Sequence, residues 1–310
     1  MESPPVLIRL PPVNLEVGGR DHRMTVAARI FDIGAVSVCL NLEDLKAPAA
    51  DLPATAFRFA GQSGLTPLFS ASLKRLLETL GPILGDRSID PDFFEDYTIF
   101  IADRPAEAID PVALLLGEER EFSQETRADI LKNSLSYGCD DLTVLSWDTA
   151  LLIGPEPPGD LIELLEFANV QALEFRYYDR VLTEQMGRMY DDIEAVDRRF
   201  FFRRIGQYHA IMTRLMETHA EISEITEKVD NLIKTTNDVY YARVYGHALT
   251  VLRISQWRAS VNRRIDLIRQ NYMMLSDEVN IRHSNFLEFV VILLIALEVV
   301  FLVWEQAGTG

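Results

Sequence analysis

The chain is poor in the residues and motifs that carry most enzymatic chemistry. Its 310 residues include two cysteines, Cys39 and Cys139, and five histidines. Neither cysteine has a second Cys or a His close by, which excludes a disulfide framework and the spacings of a zinc site. His209 and His219 stand ten apart. On a helix that separation gives roughly 80° in azimuth and about 15 Å in rise, so these two cannot share a metal unaided. No G-x-x-x-x-G-K-S/T loop, G-x-G-x-x-G turn, H-E-x-x-H pair or G-x-S-x-G elbow occurs. Positive charge is also scarce: 30 basic residues face 47 acidic ones, for a net charge of −17. The imbalance is steepest up to Gly159, with 13 basic and 25 acidic residues. Such a surface repels phosphates, so nucleic acid is not an expected partner of this half. The first residues lack a basic-then-apolar signal and an Arg- and Ser-rich presequence, and the body is expected to stay where it is made. After Pro158 there is no proline at all.

What is present divides into two halves. Residues 1–22 carry four prolines and the pair Gly18-Gly19, and are expected to form a flexible leader or an edge segment. Residues 23–154 are expected to form an α+β head. Val26, Ala28 and Ile30 alternate, as do Val36, Val38 and Leu40, with Asp32-Ile33-Gly34 between them: a hairpin signal. Residues 47–64 read as loop. Thr66-Pro67 starts a helix that Gly81-Pro82 ends. Tyr97–Ala102, Leu142–Trp147 and Thr149–Ile153 read as short strands, and Ser123 opens another helix.

Gly154–Gly159 (GPEPPG) cannot continue a helix or a strand and marks the boundary. Beyond it, Asp160 and Glu163 form a capping-box pattern ahead of apolar residues at helical spacing. Ile222, Ile225, Val229, Leu232, Thr236 and Val239 recur every three and four residues, as in a coiled coil. Residues 160–284 are therefore expected to form a stalk of long helices. At the end lies FLEFVVILLIALEVVFLVW, residues 286–304. As a helix it would be about 28 Å long, close to the ~30 Å hydrocarbon core of a bilayer. Its apolar positions are Phe286, Phe289, Val290, Ile292, Leu293, Leu294, Ile295 and Leu297, then Val299, Phe301, Leu302 and Trp304; Glu288 and Glu298 interrupt them. This is the layout of a transmembrane tail anchor, or of a helix buried in an assembly. Arg263, Arg264, Arg269 and Arg282 precede it and no basic residue follows Trp304. The positive-inside rule then places the body in the cytoplasm, on a single-pass anchor in the inner or cytoplasmic membrane.

Three clusters could carry chemistry. Asp140-Asp141 could serve as a metal or acid/base pair, though such pairs more often shape turns. Arg198-Arg199-Phe200-Phe201-Phe202-Arg203-Arg204 could touch phosphates or stacked bases, or simply plug a helical hairpin. The run from Asp238 to Tyr245, with Tyr241, Arg243 and Tyr245 as its candidate interaction residues, suits an interface or a helix crossing, and could share a polar network with Tyr177-Tyr178-Asp179.

The stretches LIELLEFANVQALEFRYYDRVL and NLIKTTNDVYYARVYGHALTVLRISQWRAS, running on into the terminal apolar helix, resemble the required-for-meiotic-nuclear-division family. The resemblance implies a membrane-anchored, self-associating, non-enzymatic protein. Mitochondrial members of that family support organellar translation; without a presequence this chain is more like a bacterial member. The family offers no catalytic residues to carry over.

The expected fold is thus α+β: a mixed α/β head, an all-α long-helix bundle and a C-terminal apolar transmembrane helix. The expected function is a membrane-anchored scaffold or interaction protein that self-associates through its helical half. Its expected partners are membrane lipid, further copies of itself and another protein, with no cofactor. The alternatives are a metal-dependent hydrolase built on Asp140 and Asp141, and an RNA- or ribosome-binding protein acting through Arg198, Arg199, Arg203 and Arg204.

Overall fold

A computed structural model of the chain describes residues 5–42, 52–59, 65–84, 89–104, 109–155, 158–194 and 238–308, except Gly18 and Ile33. It also describes Thr213, Met216, Glu217, His219, Ala220 and Ser223. These residues fall into two units, one of Met1–Tyr177 with Glu224–Arg258, the other of Tyr178–Ser223 with Ala259–Gly310.

The first unit contains two sheets. Strands β1 (Val6–Val17), β2 (Arg20–Ile30) and β3 (Val36–Asn41) form an antiparallel meander in that order. The proposed leader boundary at residue 22 therefore falls inside β2. Pro11 and Pro12 do not break β1, because it is an edge strand and its register shifts between Leu10 and Val13. A bulge at an edge is where prolines, which lack an N–H, fit a sheet. The β2–β3 turn needs Gly34, whose φ of 94° is strained for any side chain. On one face Ala28 of β2 packs with Leu76 and Leu80 of helix α2 (Leu65–Leu84). Leu15, Val17 and Met24 pack with Phe59 of α1 (Leu52–Phe59) and with Leu65 and Leu68 of α2. Helix α1 lies within the stretch expected to be loop.

The second sheet runs β4 (Thr98–Ala102), β7 (Thr149–Ile153), β6 (Leu142–Leu145), β5 (Ser134–Leu135), with β4 parallel to β7 and the other pairs antiparallel. All five residues of β7 are buried, as a central strand covered on both faces requires. One face packs Val144, Leu151 and Ile153 against Leu114 and Leu115 of α3 (Pro111–Leu116) and Ile130 of α4 (Gln124–Leu131). Asp110 caps α3 and also binds Arg127 of α4 through two bonds of 2.8 and 2.9 Å. The opposite face packs Leu145, Ala150 and Leu152 against Leu161, Leu165 and Ala168 of α5 (Gly159–Glu194) and against Val244, Tyr245 and Ala248 of α6 (Val239–Val251). The first sheet is tied to α5 by charge: Arg29 binds Glu163 at 2.9 Å and also Glu166, which in turn accepts from Ser37.

Helix α6 ends where Arg253 takes a left-handed conformation (φ 57°), and α7 (Ile254–Gly308) begins at once. In the second unit, the later part of α5 lies beside α7. Asp179 accepts from Ser260 at 3.0 Å and Arg264 at 2.8 Å, and Gln185 donates to Tyr272 at 3.2 Å. These pairs climb both helices in step, so α5 and α7 run in the same direction here. Leu182, Met189, Val261, Ile265, Ile268 and Tyr272 are buried.

The expected transmembrane helix is not upheld, and with it fall the tail anchor and the single-pass membrane location. Among the described residues no helix is long and apolar enough to cross a membrane. The segment in question is the end of α7, where the described side chains run from Glu288 to Leu297. Phe286, Glu298, Val299, Phe301, Leu302 and Trp304 belong to α7, but their side chains lie outside the described residues. What stands is a mixed α/β architecture with long helices.

Candidate functional site

The candidate region with the most defined geometry is the β5–β6 connection and the start of α6, within the first unit. Asp141 closes this connection on itself. Its carboxylate accepts from the backbone N–H of Tyr137 at 2.8 Å and from that of Gly138. A Cβ on residue 138 would lie 3.2 Å from Asp141 Oδ1, so the turn favours glycine there. Burial pushes the Asp141 carboxyl up, but those two N–H groups and the Tyr240 hydroxyl outweigh it and hold the carboxyl below its usual range. Asp141 is thus a turn anchor, and Asp140 beside it is exposed. Among the described residues no group of three or more His, Cys, Asp or Glu could hold a metal ion. Nothing in this geometry singles the pair out as the metal centre of a hydrolase.

Tyrosines gather on the same turn. The Tyr137 ring is 5.6 Å from that of Tyr240, which is 6.1 Å from that of Tyr241. Asp238 fixes the last two by capping α6, accepting from the Tyr240 N–H at 2.8 Å and the Tyr241 N–H at 3.4 Å. The Tyr240 hydroxyl is 3.0 Å from Thr143 Oγ1. Burial, opposed by this Thr143 contact and reinforced by the Asp141 charge, pushes the Tyr240 phenol up. Tyr137 itself is 81% exposed. Sequence inspection singled out Asp140-Asp141 and the Tyr240 run separately; it missed Tyr137 and could not show that the chain brings all three together, since 97 residues separate Thr143 from Tyr240.

The other proposed interaction residues separate. Tyr245 is buried, stacks on Phe167 at 6.2 Å and donates to Gln171 Oε1 at 2.9 Å. Its role is in the core rather than at a surface. Arg243 is exposed on α6. Asp179 binds Ser260 and Arg264. Arg198, Arg199, Arg203 and Arg204 lie outside the described residues, as does the periodic run from Ile222 to Thr236. Val239, the last residue of that run, opens α6 and is exposed. Of the histidines, His22 packs edge-on against Phe59 at 5.2 Å and His247 has a buried Nε2, so neither belongs to a metal cluster.

In the second unit the notable surface is the end of α7. Phe289, the five consecutive residues Val291–Ile295, and Leu297 are each 50–63% exposed. Five successive helical positions at 100° apiece reach every side of the helix. This segment is therefore apolar all round, and Glu288 at its start is exposed too.

The first half of the chain, residues 1–159, matches the family model described as "Uncharacterized protein MJ0711, N-terminal domain", and the chain belongs to that family. A relative at the level of whole sequence is "Uncharacterized protein MJ0711" of Methanocaldococcus jannaschii, 23% identical over 223 residues. That match covers 67% of this chain and 66% of the relative, so the chain spans just under two thirds of the relative's length. It reaches beyond residue 159, so part of the helical half is shared as well. No solved structure matches the chain. The family shown is thus not the required-for-meiotic-nuclear-division family, and the resemblance to the latter is withdrawn. It had rested on tyrosine, arginine and apolar runs in the helical half, which any packed helical stalk can reproduce.

Proposed function

We propose that this chain is a non-enzymatic interaction protein that self-associates through its helical half. The single observation behind this reading is the end of α7, where seven large apolar side chains stand 50–63% exposed. Full burial of a Leu, Ile, Val or Phe is worth about 1.5–3 kcal/mol each. Apolar surface on every side of one helix is far more than a monomer carries without covering it. A second copy of the same segment is the partner that supplies matching apolar surface on every side, as closed homo-oligomers do.

The test is the mass in solution, by light scattering, of the full chain and of a Leu294→Asp variant. The expected result is a multimer that the variant converts to monomer, while Trp147→Ala, an exposed change in the first unit, leaves the mass alone. Unchanged circular dichroism of Leu294→Asp shows that folding is intact. A monomeric full chain, or a multimer indifferent to Leu294→Asp, would overturn the reading.

A further inference from the structure

The reading above rests on the end of α7; the tyrosine cluster of the first unit carries a different chemistry. Three rings stand in sequence, Tyr137, Tyr240 and Tyr241, with neighbouring centroids 5.6 and 6.1 Å apart. The outer ring, Tyr137, is 81% exposed, although it is held in place: its own N–H is bound by Asp141 at 2.8 Å, and its ring rests on the buried Tyr240. Two exposed carboxylate residues belong to the segments that carry the rings: Asp140, three residues after Tyr137 on the turn, and Asp238, the cap of α6. Arg243, one helical turn beyond Tyr240, is the basic residue nearest to it in sequence, and the two carboxylates outnumber it.

Aromatic faces carry negative electrostatic potential and attract a cation placed over them, most readily a guanidinium or ammonium. Adjacent carboxylates reinforce that preference and repel anions. We propose that Tyr137, with Tyr240 and Tyr241 behind it and Asp140 and Asp238 beside it, is a docking point for an arginine or lysine side chain of a basic partner protein. The same chemistry already operates inside this unit, where the Arg176 guanidinium lies 5.8 Å over the Trp257 ring and binds Glu95. At the turn the Tyr137 ring is open to solvent and so accessible to a cation carried by another molecule. The side-chain chemistry excludes RNA and anionic lipid as occupants, because both would bring phosphate to carboxylates.

A fluorescein-labelled six-arginine peptide, titrated against the full chain by anisotropy, tests this. Tyr137→Phe keeps the aromatic face and is expected to bind as the parent does. Tyr137→Leu keeps apolar bulk without the face and is expected to lower affinity about fivefold. Asp140→Asn should lower it about threefold, and Asp96→Asn, an exposed acid elsewhere in the unit, should have no such effect. The proposal fails if Tyr137→Leu binds as tightly as Tyr137→Phe. It also fails if Asp96→Asn costs as much as Asp140→Asn, since the peptide would then be reading net charge alone.

Discussion

At the scale of single residues, buried polar groups set measurable costs. Tyr245 is 1% exposed and gives its hydroxyl to Gln171, which is fully buried. Replacing Tyr245 with Phe leaves Gln171 Oε1 without that donor, and the cost should be about 1–3 kcal/mol in denaturant unfolding. Two carboxylates also link stability to pH. Arg127 holds the Asp110 carboxyl below its usual range, chiefly by direct hydrogen bonding, and Asp141 is lowered on balance by its turn. A carboxyl depressed in the folded state adds stability above the unfolded value of about 4, and that gain is lost as pH falls through the folded value. Unfolding midpoints should thus hold steady from about pH 7 to 5 and drop below about pH 4, with a shallower drop in Asp110→Asn. An equal drop in that variant would exclude the Asp110–Arg127 pair as a cause.

At the scale of elements, what the sequence revealed depended on how local the deciding force was. The β2–β3 hairpin was legible because alternation and a turn glycine are local signals; Thr25 to Ile30 pair with Asn41 to Val36. The start of α5 beyond GPEPPG was legible for the same reason. Strand β1 was legible only as one of two alternatives, a leader or an edge segment, because Pro11-Pro12 reads as a breaker until a neighbouring strand and a bulge accommodate it. Helix α1 was hidden because Leu52–Phe59 is short and owes its place to Ala56 packing with Leu114 and Leu115. Nor could sequence alone show which residues meet in the tyrosine cluster, since a turn before β6 and the head of α6 come together only through the fold. The α6–α7 junction gives an element-scale prediction. Arg253 occupies a left-handed conformation that costs a side-chain-bearing residue about 1–2 kcal/mol. Arg253→Gly removes that cost but adds the backbone entropy of glycine, about 0.5–1 kcal/mol. A net gain of about 0.5–1 kcal/mol is expected in denaturant midpoints; a loss would mean that the arginine side chain holds the junction.

For the whole molecule, the account joins a mixed α/β half that belongs to a defined family with a helical half whose terminal segment is apolar on every side. The terminal run was visible in the sequence from the start, and its chemistry was read as a bilayer span. It lies at the end of a long helix, and among the described residues no helix is long and apolar enough to cross a membrane, which leaves the exposed apolar surface itself to be explained. Self-association is the proposed explanation, and one comparison tests it most directly. The full chain and a chain ending at Ser284 are expressed side by side, cell membranes are washed with carbonate, and the mass of the released protein is measured by light scattering. The account predicts that both are released, the full chain as a multimer and the shortened chain as a monomer. A full chain that stays with the washed membranes, or one that is monomeric like the shortened chain, would contradict it.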